Sequence, residues 1–170
     1  MITEKLGAGG VGAGERRRRL LSLLRALVDA GILGASVMDD VKDPERFDAR
    51  FKVQKYVYLA RFFGYDTGHT FNLYMRGPYS PDLADDYYDA TTADLDRAEP
   101  ARLDPRYVEL LRAHRNDEEW LEIASTVAMF HEDEPGLRGD ELIGAVRRLK
   151  PWASEDYVSA VAQELDAVLN

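Results

Sequence analysis

The chain has 170 residues and no cysteine, which removes disulfides, thiolate metal sites and cysteine nucleophiles together. A reducing cytoplasm is the expected setting. Histidine is scarce: His69, His114 and His131 stand in unrelated contexts, and none belongs to a His-Glu-x-x-His pair. The segment His131-Glu132-Asp133-Glu134 is the nearest approach to a metal cluster, but a polar helix exit explains it more simply. No Gly-x-Ser-x-Gly elbow occurs. No apolar run approaches the ~18 residues that suggest a transmembrane helix, and no apolar core follows the first charges as in a secretory signal. The expectation is therefore a non-enzymatic chain without metal, cofactor or membrane segment.

Positive charge is also in short supply. Lys and Arg number 22 against 31 Asp and Glu, a net charge of −9, so the molecule as a whole repels a phosphate backbone. The imbalance is uneven. From Glu15 to Phe63 there are 11 basic against 7 acidic residues, and from Gly64 onward 10 against 23. A charged protein partner suits this polarity better than a nucleic acid. The hydrophobic share of 45% and the charged share of 31% are those of a folded globular chain.

Residues 1–14, MITEKLGAGGVGAG, read as a flexible glycine-rich tail. A phosphate-cradling loop is excluded there, because no strand precedes the glycines and no Lys-Ser/Thr follows them. Residues 15–170 read as a single domain. The fold class expected is mainly α, a compact bundle of about six to seven helices with a minor β element around residues 70–76.

Glu15 to Leu33 carries Leu20, Leu24, Leu27 and Val28 at helical spacing, with Arg16 to Arg19 as a solvated start. A second helix is expected from Pro44, capped by Asp43, to Phe63, with Gly64 as its stop. Phe51, Val57, Tyr58, Leu59 and Phe62 make it the most buried helix. Lys52 and Lys55 are placed on its polar side. Gln54, close to the apolar line, is expected to hydrogen-bond a backbone group, since a buried amide left unpaired is costly.

Thr70 to Met75 alternates like a short strand whose pairing partner is open, with residues 64–69 or another chain as the alternatives. The segment Gly77-Pro78-Tyr79-Ser80-Pro81 then reads as a turn. Ser80 followed by Pro81 and Asp82 is a helix start, and Leu83 begins its apolar face. Asp82, Asp85, Asp86 and Asp89 fall on one face, expected to be solvated. A polar link, Thr91 to Leu103, leads to helices opened by Asp104-Pro105, by Asn116 or Asp117, by Asp140 and by Ser154.

The stretch KVQKYVYLARFFGY followed by FNLYMRGPYSPDLADD resembles the prokaryotic family that includes the YwgA-like proteins and the SocA-type antitoxins, also called the Panacea domain. Lys52, Gln54, Lys55, Tyr58 and Leu59 carry the likeness on the helix, and Phe71, Tyr74, Gly77, Pro78, Tyr79, Ser80, Pro81 and Leu83 carry it beyond. It spans roughly residues 45–170 and includes LEIASTVAMF and Leu149-Lys150-Pro151. The turn is nearer the YwgA-like branch than the SocA form, which usually reads Gly-Pro-Val. The resemblance implies a helical protein-interaction module: an antitoxin for a toxin encoded nearby, or an adaptor presenting it to a protease. Tyr74, Arg76 and Tyr79 would form its contact surface, aromatic and Arg residues being the usual anchors. Gln54, Tyr58, Phe71, Gly77, Pro78, Ser80, Pro81 and Leu83 would build the supporting joint. The alternative is a nucleic-acid-binding regulator of helix-turn-helix type, using Arg16 to Arg19.

Overall fold

The computed structural model describes residues 11–169. Within them the chain is mainly helical, with one small antiparallel sheet. The elements are α1 (Ala13–Asp29), α2 (Val37–Asp40), α3 (Phe47–Ala60), β1 (Asn72–Tyr74), β2 (Gly77–Tyr79), α4 (Pro81–Asp89), α5 (Thr92–Arg97), α6 (Pro105–Ala113), α7 (Glu118–Asp133), α8 (Gly139–Leu149) and α9 (Glu155–Leu169). One hydrophobic cluster draws on every helix, so these residues share a single core.

The nine helices of the described residues exceed the six to seven expected. The additions are α2, a single turn that buries Val37 and Met38, and α5, which replaces part of the expected polar link. α5 buries only Leu95 and so has no apolar stripe; a reciprocal capping box between Thr91 and Asp94 starts it. Residues 1–10 of the expected tail lie outside the described residues, whereas Ala13 and Gly14 already belong to α1 and Val11 lies against Gly68.

α3 is the buried axis. Phe51, Val53, Tyr56, Val57, Tyr58 and Leu59 are all nearly inaccessible, and α3 packs along α7. Its start differs from expectation. The Asp43 carboxylate accepts the Glu45 N–H at 2.9 Å in a local turn, so it does not cap a helix at Pro44, and the helix begins at Phe47. A 3-10 turn, Arg61–Phe63, and Gly64 at φ +87° end it where expected.

The strand question is resolved within the chain. β1 pairs with β2 in the register Asn72↔Tyr79, Leu73↔Pro78 and Tyr74↔Gly77, leaving Met75 and Arg76 as a two-residue hairpin loop. Gly77, Pro78 and Tyr79 are thus a strand and not a turn. Pro78 is tolerated because a two-stranded hairpin gives each strand an unpaired edge. The alternation in β1 does not sort buried from exposed either: Asn72, Leu73 and Tyr74 are all exposed.

Beyond the hairpin the expected starts at Ser80, Asp104, Asp117 and Ser154 hold, whereas Asp140 does not open its helix, which begins at Gly139 after Arg138 without a side-chain cap. Ser80 Oγ accepts the Leu83 N–H at 3.2 Å, Asp104 accepts from Arg106 N, Asp117 from Trp120 N and Ser154 from Tyr157 N. No helix among the described residues is long and apolar enough to cross a membrane.

Candidate functional site

The hairpin is held against α3 and α7 by its own backbone. Gln54 Nε2 donates to the Ser80 carbonyl at 3.0 Å, and Gln54 Oε1 accepts the Ser80 N–H at 2.9 Å. The expected backbone partner of Gln54 is therefore Ser80, both of whose peptide groups it satisfies. Gly77 stands where β2 crosses α7. A Cβ there would lie 3.1 Å from Thr126 Oγ1, 3.2 Å from Ser125 Oγ and 3.3 Å from Lys55 Nζ, and its φ is +99°. Only glycine meets both conditions without strain.

Lys55 is the largest departure from the sequence reading. It is 2% exposed and not on a polar side. Its ammonium donates to the Pro78 carbonyl at 2.7 Å and lies 5.0 Å from the centre of the Phe51 ring. Burial pushes its pKa down to about 7; the Glu122 carboxylate opposes that shift, and Lys150 and Arg76 add to it.

Glu122, buried on α7, has both oxygens engaged. Arg76 Nε donates to Oε1 at 2.8 Å, and Lys150 Nζ lies 2.9 Å from Oε2. Lys150, also buried, donates to the Met75 carbonyl. The hairpin loop is therefore fastened at both residues: Met75 through its carbonyl, Arg76 through its side chain. Arg76 also stacks over Phe51 at 4.3 Å and Phe47 at 5.4 Å.

Between this hairpin, α3 and α4 lies a pocket of about 370 Å³. Tyr74, Arg76 and Tyr79, the three expected contact residues, all line it, with the Tyr74 and Tyr79 rings edge to face at 5.3 Å. Phe47, Phe51, Tyr87 and Tyr88 complete an aromatic wall, and Arg50 and Lys55 complete a basic one; no carboxylate among the described residues lines the space. Burial raises the pKa of Tyr79 and of Tyr87.

The other expected joint residues divide by role. Tyr58 and Phe71 meet edge to face at 5.0 Å beside Phe62, and the Tyr58 hydroxyl donates to Glu132. Burial raises the Tyr58 pKa. Leu83 is fully buried, Pro81 sits exposed at the first position of α4, and Pro78 is buried in β2.

A separate polar core lies behind α4. His69 Nε2 is 2.7 Å from Asp86 Oδ2 and Nδ1 is 2.6 Å from Thr67 Oγ1, with all three residues buried. Asp86 thus leaves the expected solvated face, and it also takes Arg17 at 3.4 Å. Burial lowers the His69 pKa, with Asp86 opposing the shift. A neutral ring with its proton on Nε2 satisfies every group: Thr67 donates to Nδ1 and Nε2 donates to Asp86. Three residues of the arginine run are correspondingly engaged: Arg17 also reaches Asp89, Arg18 and Arg19 hold Glu15, and Arg19 donates to the Asp66 carbonyl, while the buried Nε of Arg16 has no hydrogen-bond partner among the described residues.

Sequence reasoning missed Lys55, Glu122 and Lys150. A signal for Lys55 was present, since it falls between Phe51 and Leu59 at steps of four on a buried stripe. Comparison of the chain with protein-family models, with curated proteins and with solved structures gives no match.

Proposed function

We propose that the protein is a protein-interaction module whose contact surface is the β1–β2 hairpin with the rim of the pocket beneath it. The observation that carries this is where apolar surface is left uncovered. Among the described residues the exposed large apolar side chains are Phe47, Leu73, Tyr74, Met75, Tyr88, Leu149 and Trp152. Five belong to the hairpin or the pocket rim, and the other two flank Lys150 in sequence, whose ammonium holds Met75. Scattered exposed apolar residues need no explanation, but a concentration at one place is a mark of a binding surface.

Charge narrows the partner. Arg50, and Arg76 with its partner Glu122 behind it, border the pocket and no acid among the described residues lines it, while the chain carries −9 overall. The occupant that fits is a protein segment presenting apolar side chains together with carboxylates. The engagement of Arg17, Arg18 and Arg19 by neighbouring acids and carbonyls weighs against a nucleic-acid surface at that helix start.

The finer form rests on the resemblance set out above: an antitoxin that covers a toxin encoded beside it, or an adaptor that delivers the toxin to a protease. The test is capture of the purified product of the adjacent gene by the wild-type chain and by Tyr74→Ala and Tyr79→Ala variants. Capture by the wild type with loss in both variants supports the surface. Equal capture by all three removes the surface, and no capture by the wild type removes the antitoxin form.

A further inference from the structure

We infer that the pocket under the hairpin is a binding site for an organic carboxylate with an aromatic or apolar body, its head group held by Lys55 and its entrance flanked by Arg50. The inference goes beyond protein docking, because it concerns the interior of the pocket and holds whether or not a protein covers the hairpin above it.

Three observations lead there. First, the walls are mostly rings, Phe51, Tyr79 and Tyr87 among them, and about 370 Å³ suits a small ligand. Second, the cations lining the pocket differ in their compensation. Arg76 is paired with Glu122 and faces Glu118, and the second Glu122 oxygen belongs to Lys150. For Lys55 and Arg50, no carboxylate among the described residues comes within 4.0 Å. Their bonds run to neutral carbonyls: Pro78 for Lys55, and Val41, Asp43 and Pro44 for Arg50. Third, an ammonium has three donors, and the Pro78 carbonyl takes one from Lys55. A buried ammonium whose facing carboxylate, Glu122, is already shared by Arg76 and Lys150 is costly to charge, and an anion entering the pocket lowers that cost.

The groups facing Lys55 fix the pH behaviour. They are Glu122 of α7, Lys150 after α8, Arg76 of the hairpin loop, Tyr79 of β2 and Tyr87 of α4, with Arg50 on its own helix. The tyrosines are neutral near neutrality, so Lys55 is the group whose charge changes there. A carboxylate binds the ammonium form, so binding takes up a proton above neutrality and weakens as pH rises.

Calorimetric titration with 4-phenylbutyrate and its neutral amide tests the site, alongside a tripeptide ending in Phe with a free or an amidated carboxyl terminus. The two acids separate a free small molecule from a chain terminus as the source. At least one acid is expected to bind roughly tenfold or more tighter than its amide, a preference that falls about tenfold per pH unit above neutrality. Lys55→Met should narrow the gap between acid and amide to about threefold or less and abolish its dependence on pH above neutrality. In wild-type protein labelled on lysine, the Lys55 13Cε resonance should move to its protonated position on saturation. Equal binding of acid and amide, no binding of either acid at millimolar concentration, or an unmoved Lys55 resonance at saturation would each overturn the inference.

Discussion

Gln54 and Ser80 lie 26 residues apart, and one side-chain amide on α3 closes both peptide groups of Ser80, donating at 3.0 Å and accepting at 2.9 Å. Ser80 itself caps α4, so the amide ties the central helix to the end of the hairpin and the start of the next helix. Gln54→Ala leaves the buried Ser80 N–H unpaired and the Ser80 carbonyl with only the Ala84 N–H at 3.2 Å, and is expected to cost about 1–3 kcal/mol. Gln54→Glu keeps the shape and should also destabilise, because a carboxylate cannot donate to the Ser80 carbonyl. Urea denaturation measures both. A loss below about 0.5 kcal/mol in Gln54→Ala would contradict the pairing.

Gly77 carries the contact between β2 and α7. Gly77→Ala combines a φ of +99° with a methyl group at 3.1 to 3.3 Å from three polar side-chain atoms, one of them on Lys55. The expected cost is about 1–3 kcal/mol, and the hairpin should detach before the core loosens. Hydrogen exchange would show this as faster exchange at Tyr79, whose N–H faces β1, with α3 unchanged. Unaltered protection at both would contradict it.

Stability should depend on pH through Lys55. Its folded pKa, pushed down to about 7, lies below the ordinary 10.5, so between these values the unfolded chain holds a proton that the folded chain has released. Stability from this group therefore rises with pH across that window and is flat below it, with a slope of at most about 1.4 kcal/mol per pH unit. Denaturation midpoints compared between wild type and Lys55→Met measure it. The variant should be flatter between pH 7 and 10.5, and parallel profiles would contradict the burial of an amine here.

His69 acts in a different window. Its pKa is lowered from 6.5, so below that value the unfolded chain binds a proton first and acidification destabilises the fold. The histidine C2–H resonance should titrate with a midpoint under 6.5 in the native protein. A midpoint above 6.5 would mean that Asp86 outweighs burial and holds an imidazolium.

Much of this arrangement was legible in the sequence. Ser80, Asp104, Asp117 and Ser154 cap helices because each is a short polar acceptor set just before an apolar period, a local pattern that needs no tertiary context. Asp43 shows the limit of such patterns, its carboxylate being taken up two residues on by Glu45. Tyr74, Arg76 and Tyr79, singled out from the sequence as a candidate contact surface, converge on one pocket. Its basic depth was not legible. Lys55 looks solvated until α7 and β2 close over it, and the shared carboxylate of Glu122 links residues 46 and 28 positions away through Arg76 and Lys150. Asp86 left its acidic face for the same kind of reason: a buried His69 lay 17 residues before it.

The central claim is that the hairpin tip meets a protein. Met75 is 91% exposed and its side chain supports nothing beneath it, so Met75→Asp should leave the melting temperature unchanged. The decisive measurement is the dissociation constant of the adjacent-gene product for the wild-type chain and for this variant. A carboxylate placed on an apolar surface that receives an acidic partner is expected to weaken binding by about tenfold or more. The same affinity in both proteins would contradict the hairpin as the contact surface.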